Sequence, residues 1–261
     1  MNLNQIVPLL ITYNERPNIA RTLKGLRWAS RIVVVDSGST DGTREILQAD
    51  SRIQSVVRPF DTFADQCNFG LGLIEDAPWV LYLDADHVVT DDLVAEIQNA
   101  PDAGDVAGCE CRFTYCIEGR PIRGGLYPPR IVLFRRDLGT FVNDGHGHHV
   151  EVRGAVRRLS STILHDDRKP LSRWLKNQDG YMEVEKTKLL ASRWSDVDWP
   201  DRIRKMVFVA PWLFPIIFLI GRGGILSGWA GLHYAAQRSL AEMVLSLKLI
   251  EAKITKEEEP A

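Results

Sequence analysis

The stretch "WVLYLDADHVVTDD", residues 79–92, decides the fold. Its first five residues are apolar or aromatic without interruption, the pattern of a strand buried on both faces. The run ends on Asp84 and Asp86, two carboxylates one residue apart, with His87 next to them. Carboxylates of like charge held that close repel each other and are costly to dehydrate, so the pair predicts a cation. Acidic pairs after strands also cap helices, and Thr90, Asp91 and Asp92 can cap a helix over "LVAEIQNA".

Toward the N-terminus, strand and helix signals alternate. "QIVPLLIT" (5–12) is a buried strand, and "RPNIARTLKGLRWA" (16–29) places Ile19, Leu23 and Leu26 at helical spacing, with Pro17 suited to a first turn. "RIVVVDSGSTDGT" (31–43) is a β-branched strand running into a loop of Asp, Ser, Gly and Thr. "REILQA" resumes a helix, "IQSVV" is a third strand, and "TFADQCNFGLGLIEDA" is a helix leading to the strand at 79. Such alternation implies right-handed parallel βαβ units, whose ligands gather at the carboxyl ends of the strands. The polar clusters of this half all lie at such ends.

From about residue 105 the pattern changes to the alternating segments "DVAGCECRFTYCIEG" and "RIVLFRRD", separated by the Gly- and Pro-rich "GRPIRGGLYPPR". After "AVRRLSSTILHDD" a helix begins at "PLSRWLKNQDGYMEVEKTKLLASRW". A mixed sheet edge followed by helices is expected.

The 261 residues suffice for one large α/β domain with an appendage. With 45% hydrophobic and 25% charged residues the chain is globular, and a net charge of −2 argues against a dedicated nucleic-acid binder. Cys67, Cys109, Cys111 and Cys116 lack the two separated pairs of a zinc site, so they read as ordinary thiols in a reducing compartment. "MNLNQIVPLLITYNERP" has no basic n-region and turns polar after a short apolar stretch, so no signal peptide and a cytosolic location are expected.

The tail is the compositional anomaly. "MVFVAPWLFPIIFLI" (206–220) is apolar throughout, with two prolines, and is flanked by Arg202, Arg204, Lys205 and Arg222. A bilayer span needs about 20 apolar residues, so this run is short and is expected to lie in or dip into an interface. "ILSGWAGLHYAAQRSLAEMVLSLKLIEAK" follows as an amphipathic helix, with Trp229 and Tyr234 suited to the headgroup region. The alternative is a hydrophobic helix pair buried on the sheet or in a homodimer.

Two carboxylates so spaced can grip Mg²⁺ or Mn²⁺, whose other ligands commonly come from water and substrate phosphates. A metal-bound diphosphate follows, with the cation neutralising charge on a departing phosphate oxygen.

"ITYNE" (11–15), "VVVDSGSTDGT" (33–43) and "YLDADH" (82–87), in this order and spacing, resemble the family 2 glycosyltransferases with a GT-A nucleotide-sugar fold. The resemblance covers roughly the first 100 residues well. "GGLYPP", "LFRR" and "GRGGILSGWAGLHYA" look like the bacterial branch that glycosylates lipopolysaccharide inner core and related lipid-linked glycans. The implied fold is α/β: a GT-A, Rossmann-like mixed sheet flanked by helices, with a C-terminal hydrophobic and amphipathic helical appendage. Residues 1–170 would form the catalytic domain, divided into a nucleotide-binding half (1–100) and an acceptor half (101–170). Residues 171–261 would be helical, with a membrane-associating segment at 202–250.

The resemblance also implies roles. Tyr13 would stack on the nucleobase, Asp36 would accept a hydrogen bond from it, and Glu15 would sit near the ribose or base edge. Asp84 would face ribose and metal, and Asp86 would be the principal ligand of a divalent cation, Mg²⁺ or Mn²⁺. Tyr13 as core and Asp36, Ser37 and Asp41 as turn formers are the structural alternatives. Inverting transfer needs a base for the acceptor hydroxyl, in this family an acidic residue of the second half. "VNDGHGHHVEVRG" departs from the usual pair: Asp144 is the first choice, Glu151 the second, and His146 or His148 could serve because imidazole titrates near neutral pH. His165 could add a metal or phosphate contact, and Arg130, Arg135 and Arg168 are candidates for diphosphate or acceptor anions.

The expected function is metal-dependent inverting transfer of a sugar from a nucleotide-sugar donor, by resemblance a UDP-sugar. The acceptor would be a lipid-linked saccharide such as lipopolysaccharide core, at the cytosolic face of the inner membrane. Two readings compete with it. "LYLDADHVV" also fits the haloacid-dehalogenase-like phosphatases, where the first Asp is a nucleophile, though usually on the opening strand. A catalytically inactive, membrane-docked nucleotide-sugar-binding partner is the other.

Overall fold

The computed structural model describes residues 1–100, 104, 106–144 and 147–258, with side chains described as far as residue 255. His146, an alternative base, lies outside the described residues. The chain divides into two compact units, Met1–Gly119 with Tyr127–Arg168, and Arg120–Leu126 with Lys169–Ala261.

The first unit is built on one mixed sheet. Strands β1 (Ile6–Thr12), β2 (Ile32–Asp36), β3 (Ile53–Val57) and β4 (Trp79–Asp84) pair in parallel in the order β3-β2-β1-β4. Helices α1 (Ile19–Gly25), α2 (Thr43–Gln48) and α3 (Phe63–Gly72) connect them. β2 is buried at every position, and in β4 only the terminal Asp84 escapes burial, as continuous apolar runs require. Leu10, Val34, Leu81 and Leu83 pack on one face and Leu9, Val35, Val80 and Tyr82 on the other, following the two-residue period. β5 (His87–Val89) leads to α4 (Asp91–Asn99), whose N-cap is Thr90, its hydroxyl accepting from the Leu93 amide as the sequence predicts.

The sheet continues as β8-β6-β11-β5, formed by β6 (Val106–Ile117), β8 (Arg130–Arg135) and β11 (Ala155–His165). β8 is antiparallel to β4 and β6, β11 is parallel to β6, and β5 runs antiparallel to β11. A separate antiparallel hairpin, β9 (Gly139–Asp144) with β10 (Gly147–Val152), takes up the His-rich segment as paired strands. All four cysteines are free and buried. Burial raises the Cys67 and Cys109 thiols and pushes Cys111 up to about 12 and Cys116 to about 11.

The second unit holds the short strand β7 (Arg120–Pro121) and the helices α5 (Leu171–Ala191), α6 (Trp199–Lys205), α7 (Ala210–Ile216) and α8 (Gly228–Glu258). Met182 and Leu189 of α5 pack on Leu245 and Leu249 of α8. Buried Glu242 of α8 accepts from Arg204 at 2.9 Å. Pro215 has no amide hydrogen, and the helix loosens into a π-helical turn over Ile217–Gly221 immediately after it. Phe218 in that turn is fully buried against Tyr234, ring centroids 4.8 Å apart. Among the described residues no single helix is long and apolar enough to cross a membrane. Ala210–Gly221 and Gly224–Thr255 form an apolar pair bent by 76°.

Candidate active site

The carboxyl ends of β1, β2 and β4 lie side by side, since Thr12 is in register with Asp36 and Ile11 with Asp84. The loops leaving β1 and β2 are stitched together. The Asn14 amide donates to Ser39 Oγ (2.7 Å), Glu15 N to Thr43 Oγ1 (2.7 Å) and Arg16 N to Asp41 Oδ2 (3.1 Å). Asn14 at φ 56° and Gly42 at φ 96° supply the left-handed residues these turns need.

Asp36 sits at the centre of this stitching. It is fully buried, and its carboxylate accepts from Thr12 Oγ1, Ser39 Oγ and the Gly38 and Ser39 amides, at 2.5–3.0 Å. Four hydrogen bonds fill the acceptor capacity of a carboxylate. In this arrangement Asp36 organises the turn that follows β2. Tyr13, by contrast, is 53% exposed on the β1 loop, where a ring can stack. Glu15 Oε2 accepts from Asn18 Nδ2 (2.8 Å).

Buried Asn18 is a hub that no sequence pattern announces. Its Nδ2 also donates to Asp167 Oδ1 (2.8 Å), and its Oδ1 accepts from Arg21 (3.0 Å) and the Arg168 amide (2.9 Å). It thereby ties the loop of Tyr13 and Glu15 to the segment after β11, whose own contact with the acidic pair is the Asp166 amide on the Asp86 carbonyl, 3.0 Å.

Asp84 and Asp86 flank the turn from β4 into β5. Across β5 and β11, His87 is in register with His165. Nε2 of His165 lies 3.4 Å from Asp86 Oδ2, and Nε2 of His87 lies 3.6 Å from Asp84 Oδ2 and 3.9 Å from Asp86 Oδ1. One ligand atom from each of Asp86, His87 and His165 falls within 4.8 Å of the others, so the cluster could hold a metal ion. Among the described residues His87 Nε2 and His165 Nδ1 are buried without a hydrogen-bond partner. One carboxylate with imidazole suits Mn²⁺ or a similar divalent cation that takes its remaining ligands from phosphate and water.

Proton accounting separates the two imidazoles. His87 Nδ1 accepts from the Asp84 amide at 3.1 Å, so in the neutral ring the proton is on Nε2, facing the two carboxylates. Burial pushes His87 down to about 4, which keeps it neutral. With Nδ1 accepting from the Asp84 amide and a proton on Nε2, the neutral ring has no lone pair left for a metal. For His165 burial works downward, but the Asp86 carboxylate overrides it and raises the pKa. Asp86 and His165 are the better pair of ligands.

A second chain of contacts starts from Asp84. Tyr82, two residues earlier on the same face of β4, donates to Asp84 Oδ1 (2.6 Å), and its hydroxyl lies 2.7 Å from Nε2 of His148. His148 is buried on β10, stacked on Phe63 at 5.4 Å. Burial alone would raise the Asp84 carboxyl; the imidazoles of His87 and His148 outweigh it and hold it below the usual range. Burial lowers His148, with Arg130 adding to the effect. A cleft opens here, lined by Tyr82, Asp84, His87, Arg130 and His148 among others.

The other candidates are distributed unevenly. Arg130 lies in the cleft, bonded to the His148 carbonyl (3.0 Å) and stacked over Tyr127 (5.1 Å). Arg168 is engaged by Asp166 at 2.8 Å. Arg135 packs on Trp79 (4.9 Å), at the end of β4 opposite Asp84. Asp144 and Glu151 have side chains 68% and 67% exposed and stand 4.0 and 3.9 Å from His149, which points to the solvent side of the hairpin while His148 is inside. Tyr82, His87 and Asn18 were not singled out from sequence as functional. Tyr82 and His87 adjoin the acidic pair in the chain, whereas Asn18 is defined by a partner 149 positions away.

The model of the family described as Glycosyl transferase family 2 matches residues 9–159, more than half of the 261. The lipopolysaccharide core biosynthesis glycosyltransferase LpsC of Rhizobium meliloti (strain 1021) is 30% identical over 148 residues, 54% of this chain and 51% of that protein. The chain therefore spans about half the length of this relative. A solved mannosyltransferase from Pyrobaculum calidifontis, in complex with GDP-Man and Mn²⁺, is similar with a TM-score of 0.52 at 15% identity, over 94% of this chain and 87% of the other. That likeness establishes the fold, a GT-A mixed sheet flanked by helices, as the sequence implies.

Proposed function

The chain belongs to glycosyl transferase family 2, and from that membership we propose a metal-dependent, inverting transfer of a sugar from a nucleotide-sugar donor to a lipid-linked saccharide of the lipopolysaccharide-core type. The observation that carries the reading is the convergence of Asp86 and His165 at 3.4 Å, beside the stitched loops of Tyr13 and Glu15. UDP-sugar is the favoured donor class, by resemblance, and the similarity to LpsC supports the acceptor class.

In this reading Tyr13 stacks on the base and Glu15 lies near the ribose, in a loop held by Asp36 and Asn18. Asp84 faces the ribose from the end of β4. Asp86 and His165 would hold Mn²⁺ or Mg²⁺, with His87 fixing the carboxylates. The bound cation supplies charge neutralisation for the departing diphosphate. Arg130 is placed for an anionic group of donor or acceptor, while Arg168, paired with Asp166, serves the loop instead. Asp84 as a phosphatase nucleophile loses its footing, because the acidic pair ends the fourth strand of a family 2 fold.

We also propose peripheral attachment to the cytosolic face of a membrane through the second unit. Trp212, Ile216 and Ile220 recur every fourth residue and are 63%, 53% and 74% exposed, followed by Ile225, Leu226 and Trp229 at 56%, 70% and 83%. An apolar ridge of this kind, flanked by Arg202 and Arg222, fits the headgroup boundary of an anionic bilayer.

Calorimetric titration with UDP, GDP, CDP and ADP, each with Mn²⁺ and again with chelator, tests the donor site. One nucleotide should bind only with metal. Metal-independent binding, or none, would sink the proposal, and binding without transfer would mark the inactive partner.

A further inference from the structure

The inference concerns the proton of the acceptor hydroxyl and rests on the transferase reading above. Asp84 is a carboxylate at the end of β4, and a carboxylate can only accept hydrogen bonds. The 2.6 Å contact therefore uses the single proton of the Tyr82 hydroxyl. The Tyr82 oxygen, 2.7 Å from His148 Nε2, must then accept, so the proton of the neutral imidazole sits on Nε2. The lone pair is left on Nδ1. This follows from counting protons along Asp84, Tyr82 and His148, and needs no knowledge of a ligand.

We propose that His148 is the general base of the transfer and that Tyr82 is its positioning residue, fixing both ring orientation and tautomer. His148 lines the cleft that Asp84 also lines, whereas Asp144 and Glu151 project from the hairpin into solvent. Stacking on Phe63 and contact with Phe141 (6.0 Å) hold the ring in place. In the step, the acceptor O–H proton passes to Nδ1 of His148 as the acceptor oxygen forms its bond to the anomeric carbon. The bond from that carbon to the diphosphate oxygen breaks, and the nucleoside diphosphate leaves with the electron pair. The imidazolium then returns its proton to solvent.

The test has two parts. In the ¹⁵N-histidine spectrum of the full chain, His148 should show a protonated Nε2 and a pyridine-type Nδ1, and Tyr82→Phe should mix the tautomers. A proton on Nδ1 in the unsubstituted protein would overturn the assignment. Turnover is then followed with UDP-glucose, UDP-galactose and GDP-mannose, offered with deacylated rough-type lipopolysaccharide or with water alone. His148→Ala should lose about 100-fold or more in kcat, with nucleotide binding intact and partial rescue by added imidazole. Tyr82→Phe should lower kcat with donor KM unchanged, and Asp144→Asn should stay within about twofold. Full turnover in His148→Ala, or its loss in Asp144→Asn, would overturn the inference. Failure of the unsubstituted protein to bind any nucleotide with Mn²⁺ would instead sink the transferase reading itself.

Discussion

Nε2 of His165 lies 3.4 Å from Oδ2 of Asp86, so the last residue of β11 reaches the acidic pair at the end of β4. If these two hold the cation, Asp86→Ala and His165→Ala should each abolish metal-dependent nucleotide binding. His87→Gln removes only the residue that orients them, and should cost about 10- to 100-fold in metal affinity. Titration with Mn²⁺ and UDP measures all three, and an equal loss in His87→Gln would make His87 a ligand.

The two imidazoles titrate in opposite senses. His87, pushed by burial to about 4 against an unfolded value of 6.5, contributes stability that is present above 6.5 and lost as pH falls toward 4. His165, raised by Asp86 against the effect of burial, contributes stability that is full below 6.5 and lost as pH rises through its folded value. Thermal melts in chelator should show acid destabilisation that is shallower in His87→Gln. Metal affinity should fall on acidification, because a protonated His165 cannot ligate; an affinity flat from pH 8 to 5 would remove His165 from the site.

Asp36 and Asn18 are predicted to act through the loops. Asp36→Asn weakens a buried carboxylate with four donors and should cost about 1.5–3 kcal/mol in urea unfolding. Asn18→Ala should weaken both UDP and Mn²⁺ binding, although Asn18 is neither a ligand nor a base contact. Unchanged affinity for both would confine Asn18 to stability.

The two sides of the π-helical turn should behave differently. Phe218→Ala empties a packed site and should cost about 3–5 kcal/mol in stability. Ile220→Ser and Trp229→Ser lie on the exposed ridge and should leave stability within about 0.5 kcal/mol. Each should weaken binding to anionic vesicles by about 10- to 100-fold, the loss of one inserted apolar side chain. Unaltered vesicle sedimentation, with a dimer that dissociates in the variants, would give the ridge to a second copy.

The sheet and the acidic pair were legible because they depend on local periodicity. "IVVVD" and "WVLYLD" are continuous apolar runs that end where the chemistry begins, and both became buried parallel strands. The hairpin around "NDGHGHHVEV" is hard to see in the sequence, since its glycines and histidines mask the alternation of buried His148 and Val150 with exposed His149 and Glu151. The contacts of Asp36 were only half legible: the turn after β2 is local, while the bond from Thr12 comes from 24 positions away. Asn18 stayed hidden because its partner Asp167 lies 149 positions away in the chain.

The four buried cysteines have a practical consequence. A thiol attacks reagents as the thiolate, and burial keeps these protonated and out of reach. Alkylation of the native protein should therefore wait for local opening, so that its rate becomes a clock for breathing of the sheet. A single cysteine engineered onto the exposed ridge, at Ile220 or Leu226, would take a fluorophore while the native thiols stay silent.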